Sequence, residues 1–160
     1  VVLNYISIAA VIRGLGIHSF TFGSNGYKTY VEKPQMEKFT RRERKINTIK
    51  SIVQPKRTTG HNGNPHIFAH TDGLCINENY QPILDIGNIS DLQEKNVIQL
   101  NHYYYRSEEE FREKCDRYKY RNALDVNLFI TFDEWWAKEP PCNEQEDLLA
   151  LQHKESAPPE

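Results

Sequence analysis

The stretch LNHYYYRSEEEFREKC, Leu100 to Cys115, constrains this chain most, because a strand pattern hands over to a helix that carries its own start signal. From Val97 to Tyr103 apolar and polar residues alternate, which predicts a strand with one buried face. Ser107 is a good N-cap, and Glu110 stands where a capping box needs its carboxylate. Phe111, Cys115 and Tyr118 follow at i, i+4 and i+7, so one apolar stripe predicts a helix ending near Arg121. A strand feeding a helix in this way points to an α/β class with few strands and flanking helices.

The same junction has chemical potential. The first N–H groups of a helix lack intrahelical partners and carry partial positive charge, so they suit an anion. Arg106 adds a forked donor matched to phosphate. His102, at the end of a strand, can reach a cleft and ligate a metal or contact a diphosphate. The competing reading makes Ser107 only a cap, Arg106 a solvated charge and His102 a hydrogen-bonded core group, and the residues alone leave both open.

Elsewhere the elements are shorter. The first segment, to about Leu15, suits a buried strand or a helix equally. FGSNGYK, Phe22 to Lys28, is a turn in which Gly23, Asn25 and Gly26 can take positive φ cheaply. It lacks the Lys-Ser/Thr pair of a P-loop. Glu32 to Lys45 is charged and partly helical after Pro34. INTIKSIVQP, Ile46 to Pro55, is a second predicted strand. KRTTGHNGNPH reads as loop, HIFAH as a possible short strand, and Asp72 to Ser90 as turn-rich. A short helix is expected within Phe129 to Ala137. EPPCN breaks the chain, EQEDLLALQH forms a last helix and KESAPPE a frayed tail.

Composition bounds the partners. With 38% hydrophobic and 26% charged residues the 160-residue chain has the balance of one soluble globular domain, and its formal charge of −2 gives no reason to expect nucleic acid. A local basic strip, seven Lys/Arg against one Glu between Arg41 and Arg57, still suits a phosphorylated small molecule. Cys75, Cys115 and Cys142 form no C-x-x-C pair and fit a reducing compartment. The sequon at Asn88 matters only in a secretory context. VVLNYISIAAVIRGLG lacks Met, is too short in its apolar run for a membrane span and has no signal-peptide pattern. It leads us to expect a piece of something longer.

His61, His66 and His70 invite a zinc reading, but no Cys lies near and Pro65 argues against the helix that the i, i+4 spacing needs. A single histidine given to a substrate-bound Mn²⁺ or Mg²⁺ fits better. Trp135, Trp136 and Tyr103 to Tyr105 can stack on sugars, although core packing is the more ordinary use of such rings.

Taken in order, FGSNG, EKFTRR, IKSIVQP, NPHIF, LNHYYYRSEEEFREK and NEQEDLLAL resemble the C-terminal half of GT-A type glycosyltransferases related to families 2 and 92. Members read W-x-x-F-G-S-x-G-H, E-R-F-T-x-R, V-K-S-I-V-x-P, P-H-x-F, N-H-Y-x-x-K-S-x-E-E-F-x-x-K and a terminal acidic helix. Each motif alone is weak, and six in order are a strong signal. The resemblance places residues 17–153 on the acceptor and diphosphate side of such a domain, with 1–16 matching poorly and 154–160 a disordered tail. It implies donor or diphosphate contacts from Gly23, Ser24, Gly26, Lys50, Asn101, Tyr103, Arg106 and Ser107. It implies a metal ligand at His102, with His66 as runner-up, for Mn²⁺ or Mg²⁺ arriving with the nucleotide sugar.

The implied activity is inverting, metal-dependent transfer of a sugar from a nucleotide-diphospho-sugar to a glycan acceptor, in a portion inactive by itself. Peripheral membrane association is compatible. The expected compartment is cytoplasmic, or the Golgi or ER lumen if an N-terminal anchor precedes the chain. This sequence departs from the pattern at Phe20, Tyr27, Lys38 and Arg106, and no Asp-x-Asp precedes FGSNG. No general base is assigned. A non-catalytic carbohydrate- or nucleotide-binding domain derived from the same fold is the alternative.

Overall fold

The structure, a computed structural model, describes residues 12–44, 48–61, 66–83, 98–121 and 131–155. The N-terminal residues 1–11, Pro65, the Asn88 sequon and the last five residues lie outside that set. The fold is mixed α/β, with one mixed sheet, two small two-stranded sheets and few helices.

β1 (Ile12–Thr21) takes in the end of the first segment as a strand, and the rest of that segment lies outside the described residues. Its residues Gly14 and Gly16 have no side chain to spare: a Cβ on Gly14 would overlap Cys75 Sγ, and one on Gly16 would overlap Ile83 Cδ1. Both lie on the same face of the strand, so Cys75, Ile49 and Ile83 can close over that face. β1 pairs antiparallel with β3 (Thr48–Val53) and parallel with β6 (Leu74–Asn77), which continues antiparallel to β7 (Pro82–Ile83). β8 (Leu100–His102) also pairs with β1. The sheet order is β3-β1-β6-β7.

Two small ribbons complete the strands. β2 (Arg41–Arg42) pairs with β9 (Gln145–Glu146), and β4 (Thr58–His61) with β5 (Phe68–His70). The helices are α1 (Gln35–Lys38), α2 (Glu108–Arg121), α3 (Phe132–Trp136) and α4 (Leu149–Glu155), with 3₁₀ turns at Pro55–Arg57 and Pro140–Asn143.

Several local expectations change. The stretch read as loop from Lys56 contains β4, an exposed strand rich in Gly, His and Thr whose pairing with β5 is irregular between Thr58 and Gly60. The turn-rich Asp72–Ser90 region contains β6 and β7, because LCIN is a short apolar run buried beside a parallel neighbour. The last predicted helix begins only at Leu149, its first residues forming β9 instead. Thr131 caps α3 with a capping box to Glu134.

The chain divides into two compact units. The first comprises Val1–Phe20 with Lys45–Asn101, and the second Thr21–Arg44 with His102–Glu160. In the first, Ile49, Cys75 and Ile83 form the core with Ile67 against it. In the second, Tyr105, Phe111, Cys115 and Cys142 are packed by Tyr104, Phe132, Trp135 and Trp136. The tryptophans and two of the three tyrosines thus serve the core, as their size favours.

Candidate functional site

In the second unit the glycine turn is organised by protein groups rather than left open. Asn25 and Gly26 take positive φ as their residue types allow, but Gly23 does not. Gly23 is small for another reason, since a Cβ there would overlap the Asn143 side chain. The Gly23 N–H donates to Cys142 O at 2.9 Å, the Ser24 N–H to Glu139 Oε1 at 2.6 Å and the Asn25 N–H to Asn143 Oδ1 at 2.9 Å. Gly26 N–H donates to Ser24 Oγ at 3.0 Å. The buried Glu139 carboxylate therefore occupies the place where a phosphate oxygen was expected.

The helix start is filled in the same way. Ser107 and Glu110 form the expected capping box, with Ser107 N–H donating to Glu110 Oε2 at 3.2 Å and Glu110 N–H to Ser107 Oγ at 3.3 Å. The next two donors go to the residues that follow the glycine turn: Glu108 N–H to Tyr27 O and Glu109 N–H to Lys28 O, both at 3.0 Å. Glu108, Glu109 and Glu110 supply the negative charge that the helix dipole favours. The N–H groups of Gly23, Ser24, Gly26 and Ser107, expected to meet an anion, thus donate to protein acceptors in this structure.

Arg106 differs from them. It takes a left-handed backbone, φ 57°, just before the cap. Its side chain is 45% exposed and its nearest carboxylate, Glu110, is 3.7 Å away. Its guanidinium remains available to solvent. Tyr103 packs its ring on Phe22 at 5.0 Å and Phe39 at 6.3 Å, and His102 meets Tyr104 edge-on at 5.3 Å. Lys114 lies over the Tyr104 ring at 3.3 Å and donates to Tyr104 O at 3.1 Å. Burial, helped by repulsion from Arg106, pushes its ammonium down to about 8.

In the first unit, Lys50 lies on β3 opposite Ile17, and His66 is its electrostatic neighbour. His66 Nδ1–H donates to Ile49 O at 2.9 Å and Ser51 Oγ–H donates to His66 O at 2.6 Å. Burial and then the Lys50 charge lower the His66 pKa, which keeps the imidazole neutral, as ligation requires. The same lysine charge opposes a divalent cation. Asn101 Oδ1 accepts from Gln99 Nε2 at 2.7 Å. His66 and His102 belong to different units. Among the described residues no group of three His, Cys, Asp or Glu side chains is placed to hold a metal, so these residues do not by themselves fit a Mn²⁺ or Mg²⁺ site.

Three features of the structure were not singled out from sequence. Cys75 and His70 are 3.3 Å apart at Sγ and Nε2, with His70 Nδ1 at 3.3 Å from Thr58 Oγ1, and burial raises the Cys75 thiol. Arg13 grips the Asp72 carboxylate with two hydrogen bonds of 3.0 Å and holds it down to about 2. His18 on β1 and Glu78 after β6 form a buried pair. The only local hint of this pair is a polar residue at the centre of the apolar run GLGIHSF. No helix among the described residues is long and apolar enough to cross a membrane.

The chain is mixed α/β, with Arg106 half exposed in the second unit and the His18–Glu78 pair buried in the first. Comparison with protein-family models, with curated proteins and with solved structures gives no match for the chain.

Proposed function

We propose that the chain is a portion of an inverting GT-A glycosyltransferase that moves a sugar from a nucleotide-diphospho-sugar to a glycan acceptor. One observation carries this reading: the segments that resemble the family motifs are the ones that bind each other. FGSNG is tied to EKFTRR by Asn25 Nδ2–H to Thr40 Oγ1 at 2.9 Å and Arg41 N–H to Asn25 Oδ1 at 3.1 Å. It is tied to NEQEDLLAL through Asn143, and Arg42 reaches Asp147 of that segment at 2.6 Å. Phe22 N–H donates to His102 O at 2.9 Å, joining FGSNG to the strand–helix junction. In the first unit IKSIVQP is tied to NPHIF through Ile49, Ser51 and His66. Residues recurring in order because a fold needs their mutual contacts would have this pattern.

In this reading the acceptor hydroxyl attacks the anomeric carbon and the diphosphate departs with the bonding electrons. Fixed positive charge near the departing group lowers that barrier. Arg106, exposed and only loosely paired with Glu110, is the residue we assign to the diphosphate. Lys50, Asn101 and Tyr103 remain candidates for donor contacts. A Mn²⁺ or Mg²⁺ ion arriving with the donor would supply Lewis-acid charge; His102, with His66 as runner-up, is the candidate donor to it, and among the described residues no further ligands stand beside either.

The test is release of nucleoside diphosphate from a panel of nucleotide sugars with Mn²⁺ and mixed glycan acceptors, by the chain and by any longer natural form containing it. Release that depends on acceptor supports the reading. Nucleotide binding by calorimetry without release selects the binding-only alternative. Neither binding nor release sinks both. Arg106→Gln should weaken diphosphate binding by about 1–3 kcal/mol.

A further inference from the structure

Lys114 of the second unit is a cation held by a ring and a carbonyl and by no carboxylate. It lies on α2, partly exposed. Its Nζ donates to Tyr104 O at 3.1 Å and stands 3.3 Å from the centre of the Tyr104 ring, with the Phe111 ring at 5.5 Å. An ammonium carries three N–H donors. The carbonyl takes one and the ring face another, which leaves the last for a ligand. These contacts fix the ammonium in place without cancelling its charge.

The charges around it do not cancel it either. Glu110, Lys114 and Arg117 follow at i, i+4 and i+7 and share one side of α2, with Arg106 leading into the helix. Glu110 is committed to the cap, its Oε2 accepting from Ser107 N–H at 3.2 Å and Ser107 Oγ–H at 2.8 Å, while its Oε1 faces Arg106 at 3.7 Å. Arg117 is 68% exposed beside Glu113. Among the charged groups Arg106 acts most strongly on Lys114, disfavouring its ammonium; Arg117 adds to this and Cys115 works against it. Burial opposes the ammonium too. An arriving anion relieves both.

We propose that Lys114 and Arg106 together form an anion site that takes a diphosphate, one phosphoryl group on the remaining Lys114 N–H and the other on the Arg106 fork. The identity of the anion rests on the glycosyltransferase reading. Both residues belong to the second unit and both reach solvent, the Arg106 side chain being 45% exposed. Lys114 is already held by the ring and loses little further freedom on binding. Two cations with separate supports favour a ligand with two linked anionic groups over a single one.

Inorganic pyrophosphate is the probe, titrated into the full chain by calorimetry at neutral pH and physiological salt. Lys114→Met should weaken binding about 10- to 100-fold, and Arg106→Gln by a similar factor. Lys56→Met removes the same charge from the other unit and should change nothing. Equal weakening by Lys56→Met would overturn the proposal, as would native affinity in Lys114→Met or no binding by the native chain. A second measurement needs no variant. Followed through its ¹³Cε resonance, the Lys114 amine titrates at about 8 without ligand and should titrate higher under saturating pyrophosphate, because an anion favours the ammonium. An unchanged titration would overturn the site. Pyrophosphate binding that needs both residues, with no nucleoside diphosphate released from any nucleotide sugar, would keep the site and remove the transferase reading. Acceptor-dependent release with an unaltered KM for nucleotide sugar in Lys114→Met would do the reverse.

Discussion

The two units treat buried polar groups in opposite ways. In the second, Glu139, Asn143, Arg42, Asp147, Ser107 and Glu110 meet one another or backbone donors at ordinary hydrogen-bond distances. In the first, His18 Nε2, Ser19 Oγ and Glu78 Oε2 are buried without partners, and among the described residues the second unit has no such atom. A closed network specifies a conformation, because any rearrangement leaves a charge unpaired. An open one specifies less and retains capacity to bind or to take up a proton. The glycine turn attracted attention as a binding element, yet it belongs to the closed network. The histidine in an apolar run attracted none, yet it belongs to the open one.

Breaking the closed network at its buried ion pair should have the largest effect. Arg42 and Asp147 side chains are 8% and 7% exposed, and Asp147→Ala leaves the guanidinium without its carboxylate. Urea unfolding should show a loss of about 3–5 kcal/mol; a loss under 1 kcal/mol would mean that the pair is solvated in practice. Glu139→Ala strips the acceptor from Ser24 N–H and from Asn143 Nδ2–H, and is expected to cost about 2–3 kcal/mol by the same measurement.

Next comes Lys114, a charge buried under a ring. Its ammonium falls to about 8 from an ordinary 10.5, so between those values the unfolded chain binds more protons than the folded one. Stability contributed at this site therefore rises as pH is raised through that window. Native protein should gain on the order of 2 kcal/mol relative to Lys114→Met between pH 8 and 10.5. A pH-independent difference would show that the amine titrates normally.

The smallest effect is expected where the comparison is sharpest. Replacing both His18 and Glu78 by Leu removes an under-satisfied pair and adds apolar volume. Stability should stay within about 1–2 kcal/mol of native or increase, in contrast to Asp147→Ala. Destabilisation as large as that of Asp147→Ala would place the pair with the closed network.

Much of the local structure was legible because its causes are local. The Ser107–Glu110 box spans three residues, and the turn at Asn25–Gly26 follows from residue type. The strands β4 and β6 were not, since each is stabilised by a partner that periodicity does not reveal. The protein acceptors of Gly23 and Ser24 were not legible for a related reason. Their N–H groups match a phosphate cradle until Glu139 and Asn143, far along the chain, are known to fill it. His18 and Glu78 are 60 positions apart, and neither residue has a neighbour in sequence that marks it.

The interleaving of the units carries a consequence for how the chain is made. Each unit draws on two separate stretches, so neither is complete when its first stretch has been synthesised. The glycine turn waits for acceptors 115 and 118 positions downstream. Contacts of that separation are expected late, after loop closure has been overcome. Until then the Ser24 and Asn25 N–H groups have only water as acceptor. A ribosome-stalling series should therefore show protection of Ser24 appearing only once Glu139 and Asn143 have left the exit tunnel.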